Sequence, residues 1–134
     1  MPPDSPNAAP ALGTEAVDLR DKLRRFHDLW SPRIVAELNG QYVKLAKVKG
    51  EFVWHDHAEE DELFLVLHGH LVLRLRDREI HLREGQLFVV PRGVEHQPYA
   101  QEETHLLLFE PKKTSHSGGV ESPLAVAVED QLPI

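Results

Sequence analysis

The sequence predicts an all-β domain, an antiparallel sandwich or barrel, preceded by a single α-helix. Three observations carry this. From Arg33 to Glu110, short apolar runs recur at even spacing with turn residues between them and no helix-periodic stretch. Asn39-Gly40 separates two of those runs, and that dipeptide is the strongest short signal for a hairpin. Upstream, Glu15–Trp30 places Val17, Leu19, Leu23, Phe26, Leu29 and Trp30 near a 3.6-residue period.

Taken in order, residues 1–14 hold four prolines among small polar residues and are expected to form a disordered leader. The helix follows within 15–32, capped by Thr14 and stopped by Ser31-Pro32. His27 on it reads as a partly exposed histidine. The strands expected next are Ile34–Leu38, Gln41–Lys49, Glu51–His57, Glu62–His68, Leu71–Arg76, Glu79–Leu82, Gln86–Val90, Glu95–Tyr99 and Thr104–Glu110. Turns fall at Gly69-His70, Asp77-Arg78, Arg83-Glu84-Gly85 and Pro91-Arg92-Gly93. The barrel is thus assigned to 33–111. The tail, 112–134, reads as a loop through Ser115–Gly119, with Leu124–Val128 able to add an edge strand or the tail to fold over a barrel mouth.

Composition narrows the function classes. The chain has 134 residues, enough for one domain with one core. Its net charge of −7, with no basic cluster beyond Lys22–Arg25 and Lys112-Lys113, argues against a nucleic-acid partner. Cysteine is absent, so any metal must be held by nitrogen and oxygen donors. No window approaches the roughly 18 apolar residues of a membrane span. The N-terminus lacks the charged and apolar regions of a secretory signal, so the cytoplasm is the expected location.

The chemistry gathers between Gly50 and Gly69. His55 and His57 sit two apart in a segment read as a strand, so both imidazoles point to one face, roughly 7 Å apart along the backbone. Glu62 opens the most apolar run of the chain, Leu63–Leu67, where a carboxylate is costly to bury without a cationic partner. His96, in a second block from Gly85, offers a fourth donor. The reading is a metal site of three histidines and one carboxylate, His55, His57, Glu62 and His96, inside a β-barrel. If Glu62 points inward, so do Phe64 and Val66. Leu63, Leu65 and Leu67 then face out and need cover, from a second copy of the chain or from the helix.

These residues resemble a known family. Gly50-x4-His55-x-His57-x4-Glu62-x6-Gly69 is similar to the first motif of the cupin superfamily, and Gly85-x5-Pro91-x-Gly93-x2-His96 is similar to the second. The look-alikes are small single-domain bacterial cupins, loosely labelled mannose-6-phosphate-isomerase-like. They share the runs around Trp30-Ser-Pro-Arg-Ile, Asn39-Gly-Gln-Tyr-Val-Lys and Asp61-Glu-Leu-Phe-Leu-Val. The resemblance implies a double-stranded β-helix (jelly-roll) barrel, commonly a homodimer, with those four residues as metal ligands. Three departures stand out. The first motif is one residue short between Gly50 and His55, Ala100 replaces an asparagine common after the second motif, and His116 stands where the look-alikes carry asparagine.

One divalent transition metal per subunit is expected, and the donor set suits Fe, Mn, Ni, Co, Cu or Zn alike. A small-molecule ligand beside it would meet Tyr42, Phe64, Val66, Phe88, Gln97, Tyr99 and His116 as the possible lining, although strict alternation puts Tyr99 on the face opposite His96. Trp54 should face away from the site. His68, His70, His81 and His105 read as solvated surface. Two functions remain: a metal-dependent enzyme of isomerase, lyase or dioxygenase type acting on a small oxygen-rich metabolite, or a module that binds metal or ligand without turnover.

Overall fold

The structure, a computed structural model, describes residues 15–112 and 132–134. The expected leader 1–14, the cap Thr14, His116 and the Leu124–Val128 strand lie outside them. The described elements are α1 (Leu19–Leu23), β1 (Arg33–Leu38), β2 (Gln41–Glu51), β3 (Glu62–His68), β4 (His70–Leu75), β5 (Glu79–Arg83), β6 (Leu87–Val90) and β7 (His96–Pro111). All strand pairs are antiparallel. The β1–β2 hairpin turns at Asn39 and Gly40, with φ of 50° and 74°. Two positive φ values are what a two-residue hairpin turn of matching twist demands.

Strand β7 is the axis of the fold. It pairs with β2 from Gln41↔Pro111 to Glu51↔Tyr99. Its C-terminal half also takes β3, from Leu63↔Phe109 to His68↔His105, and its N-terminal half takes β4, from Val72↔Tyr99 to Leu75↔His96. Strand β6 extends β3 and β5 extends β4, so the sheet closes on itself as a jelly-roll barrel. The sequence reading split β7 at the polar stretch Gln101–Glu103. The strand is continuous because β2 pairs across that join, with a register shift between Val48 and Gly50 taking up the bend.

Alternation decides which face is inside. Glu62, Phe64 and Val66 are buried while Leu63, Leu65 and Leu67 are half-buried, the pattern expected for this strand. Phe64 and Val66 join Leu71, Leu73, Leu106 and Leu108 in the main core. The β3–β4 turn at Gly69 has φ of 96°, and an added Cβ would come within 2.6 Å of the Thr104 hydroxyl oxygen. Both the backbone conformation and the lack of room require glycine there.

The helix is shorter than the 15–32 expectation. It spans Leu19–Leu23, with Asp18 rather than Thr14 as its N-cap, accepting from the Arg20 and Asp21 amides. Downstream, tertiary contacts outbid helix propensity. Phe26 is buried with Val35 and Leu45, and Lys47 Nζ donates to its carbonyl at 2.7 Å. The Trp30 amide donates to Lys47 O at 2.8 Å, and Trp30 itself has a φ of 58°. The apolar stripe read as one helix face is therefore spent in two places. Leu19, Leu23 and Phe26 cover Leu67 and Leu107 on the outside, while Trp30 joins the inner core.

Candidate metal centre

His55 and His57 do not lie in a strand, as the sequence suggested. Strand β2 ends at Glu51, and the segment beyond it carries a single isolated bridge, between His55 and His96. That bridge joins the two motifs directly: His55 N donates to His96 O at 3.0 Å and His96 N to His55 O at 2.9 Å. Nearby, Gly93 N donates to His57 O at 2.8 Å. The i, i+2 spacing still places both imidazoles on one side, with ring centroids 5.2 Å apart. The His55 and His96 rings are 4.3 Å apart.

Each of His55, His57, Glu62 and His96 offers one donor atom, and these atoms all lie within 4.8 Å of one another. All four residues are buried. The Val53 carbonyl sits 2.8 Å from His55 Nδ1, and the Val94 carbonyl 3.0 Å from His96 Nδ1. A carbonyl can only accept, so each Nδ1 carries the proton and each Nε2 keeps a lone pair. Both Nε2 atoms are buried without a hydrogen-bond partner. Glu62 Oε1 lies 3.0 Å from His57 Nε2 and 3.7 Å from His96 Nε2. Buried polar nitrogens left bare cost about 1–3 kcal/mol each. A divalent cation among the four would satisfy both, so the donor set fits a metal.

The electrostatics prepare the site. Burial, then the neighbouring His96, lowers the His55 pKa to about 4, so its ring stays neutral and ready to donate. For His57, burial pulls downward, but the hydrogen bond to Glu62 and the charges of Glu62, Glu60 and Asp56 outweigh it and raise the pKa. Burial would raise the Glu62 carboxyl, yet the His57 hydrogen bond, with His96 and Glu110 beside it, holds it below the usual carboxylate range. Protons on His57 therefore compete with a metal from above its ordinary pKa. Below that point the apparent metal affinity is expected to fall by up to about tenfold per pH unit for the one proton displaced from His57 by each ion bound. Chelator competition from pH 5 to 8 checks this; a flat profile would contradict it.

The rest of the expected lining divides. The Phe64 ring lies 6.0 Å from the His96 ring, Val66 is fully buried in the core, and Phe88 packs half-buried against that core. Tyr42 sits near two ammonium groups, Lys44 at 5.9 Å and Lys112 at 5.4 Å from its ring. Gln97 and Tyr99 are apart from the donors. Gln97 takes a hydrogen bond from Arg74 at 3.0 Å, and the Arg74 guanidinium stacks 4.3 Å from the Tyr99 ring on the outer surface. Trp54 is half-buried beneath Arg76, 3.8 Å from its ring. The surface histidines hold carboxylates or one another: His68 with Glu84, His105 with Glu103, His70 with His81.

Two groups at the site escaped the sequence reading. Lys44 and Glu110 are buried, with Nζ 2.8 Å from Oε1. Burial and the adjacent Glu62 charge push the Glu110 carboxyl well above its ordinary value, against the pull of Lys44. The signal was parity: Lys44 shares a face with Ala46 and Val48, and Glu110 with Leu106 and Leu108. Beside Glu62 is a cavity of about 30 Å³ lined by Glu62, Phe64, Phe52, Trp30, Leu106 and Leu108 among others. That is about the volume of one water molecule.

Comparison with known proteins follows the same lines. A family model for the cupin domain matches residues 41–120. A cupin-2 domain containing protein from Shewanella frigidimarina is 47% identical, with a TM-score of 0.70 over 71% of this chain and 93% of that one. The uncharacterised protein YdbB of Bacillus subtilis is 35% identical over 80 residues, covering 59% of this chain and 71% of the relative. The 3-hydroxyanthranilate 3,4-dioxygenase of Danio rerio is 32% identical over 84 residues, which is 59% of this chain but only 28% of that enzyme.

Proposed function

The chain belongs to the cupin domain family, and on that premise we propose that it is a metal-binding small cupin whose metal, held by His55, His57, Glu62 and His96, serves an enzyme acting on a small oxygen-rich metabolite. The observation carrying this reading is the pair of buried, unpartnered nitrogens, His55 Nε2 and His96 Nε2, beside the one Glu62 carboxylate. A bound divalent transition metal would supply Lewis acidity toward a carbonyl or enolate, or a site for O₂. The protein's own groups do the rest. The Val53 and Val94 carbonyls fix the histidine tautomers, and Phe52, Phe64 and Trp30 keep bulk water from the carboxylate. The partial likeness to a dioxygenase supports keeping oxygenase chemistry beside isomerase and lyase chemistry. Fold likeness alone names no reaction.

A second reading, a module that binds metal or ligand without turnover, is favoured by the size of the cavity, about 30 Å³. The two are separated by loading the protein with Fe(II), Mn(II) or Ni(II) and following O₂ consumption and product formation across a metabolite panel. Turnover that requires the metal excludes the module. A metal-loaded protein that binds panel members without converting them excludes the enzyme.

We also propose a cytoplasmic homodimer built on the outer face of β3 and β6. The N-terminal segment covers Leu67 and Leu107, but Leu87 and Val89 on β6 remain 55% and 42% exposed. Among the described residues, no helix is long and apolar enough to cross a membrane. Sedimentation should give a dimer that Leu87→Asp dissociates; a monomeric wild type would overturn the proposal.

A further inference from the structure

The metal reading leaves Lys44 and Glu110 without a task, although both are fully withdrawn from solvent, 0% and 1% exposed. A buried charged pair is weak evidence for stability, since apolar residues of similar volume commonly do as well. Its position suggests another use. Leu63 pairs with Phe109 and Tyr42 with Glu110, which sets Glu62, Glu110 and Lys44 on the inward faces of three adjacent strands, β3, β7 and β2. Continuing the Leu63↔Phe109 register by one residue sets Glu110 opposite Glu62, and Lys44 Nζ stands 2.8 Å from Glu110 Oε1. Neither residue belongs to the four-donor cluster.

The other donors show what such a neighbour does. His55 is steered by the Val53 carbonyl and His96 by the Val94 carbonyl. Glu62 has no backbone partner of this kind among the described contacts. Its remaining neighbour is Glu110, and behind Glu110 is Lys44. A carboxylate donor held on one side only can rotate about its terminal torsion, which is broad and soft. Groups behind metal-binding side chains are what fix that orientation, and their loss commonly costs 10–100-fold in metal affinity.

We propose that Lys44 and Glu110 are positioning residues for Glu62, a buried two-residue brace that fixes the carboxylate donor and thereby sets the affinity and coordination of the metal site. The proposal rests on the metal reading above. It assigns the pair to the metal site, not to the folding core.

The test compares Co(II) binding by wild type, Glu110→Gln and the double variant Lys44→Met/Glu110→Leu, using chelator competition, the visible absorption of the Co(II) form, and thermal unfolding of the metal-free proteins. Glu110→Gln keeps shape and volume, while the double variant removes both polar groups together and leaves neither stranded. Both variants should bind Co(II) about 10–100-fold more weakly, with an altered absorption spectrum; the double variant, which strands no charge, should also keep metal-free melting close to wild type. Affinities within twofold of wild type and a superimposable spectrum would overturn the brace while leaving the metal site standing. In the double variant, weaker binding matched by an equal fall in metal-free melting would also overturn it, as a structural role. A wild type that binds no Co(II) would instead sink the metal reading itself.

Discussion

His96→Ala should lose most of the bound metal and, with it, the metal-dependent part of the protein's stability. His96 is fully buried, and its Nε2 has no protein hydrogen-bond partner. Its backbone N–H and C=O, by contrast, are both committed to His55, and a substitution by alanine leaves that bridge intact. The variant therefore removes a donor without unstitching the two motifs. Two terms must be kept apart. Truncating a packed imidazole of this size also leaves a cavity, a cost present with or without metal. The metal term appears only in the difference between loaded and metal-free protein. With free metal at a hundred times the wild-type dissociation constant, that difference is about 2.7 kcal/mol in the wild type and should approach zero in His96→Ala. Metal analysis after desalting, together with urea unfolding of both forms, measures each term. A variant that retains wild-type metal content, or keeps the full loaded-minus-free difference, would show that His96 is not a ligand.

The ease of reading this site from sequence has a physical source. Period-2 alternation in Glu62–Val66 tells which side chains share a face, and a carboxylate among buried apolar neighbours must have a partner. His55, His57 and Glu62 could thus be assembled from local spacing, and His96 followed from the second motif. What was hidden depended on long-range pairing. Gln101–Glu103 looks like a break until β2 is laid across it. Lys44 and Glu110 share their faces with Ala46, Val48, Leu106 and Leu108, but the opposite faces of these strands are apolar too, at Val43, Leu45, Leu107 and Phe109. Parity groups the residues without saying which face is the inside until the strands are paired. Gln97, expected as a possible hydrogen-bond donor lining the cavity, accepts from Arg74 and donates to the Phe52 carbonyl, partners that only the strand pairing brings to it. The same limit cut the helix short: periodicity located the apolar residues from Leu19 to Trp30 but could not say that they cover two different surfaces.

Trp30 gives the second large effect, and its sign at glycine is the sharper part. A bulky residue at φ 58° is a genuine outlier, held in the left-handed region at a cost of about 1–2 kcal/mol. What holds it is visible. The indole stacks on Phe52 with centroids 4.7 Å apart and planes 13° from parallel, and Nε1 donates to Lys49 O at 2.9 Å. The ring also forms part of the cavity wall beside Glu62. Trp30→Ala discards these contacts but keeps a side chain in the strained conformation, and should cost about 3–5 kcal/mol. Trp30→Gly discards the same contacts and releases the strain, at about 0.4–1 kcal/mol for the freer unfolded chain. The glycine variant should therefore be the more stable of the two by about 0.5–1 kcal/mol, the reverse of the usual order. Both should surrender metal to a chelator faster than wild type, since the wall beside the carboxylate is gone. Urea unfolding of the three metal-free proteins measures the order, and stopped-flow chelation measures the release. An alanine variant as stable as wild type, or one more stable than glycine, would show that the strained tryptophan neither seals the barrel nor is held there against its backbone preference.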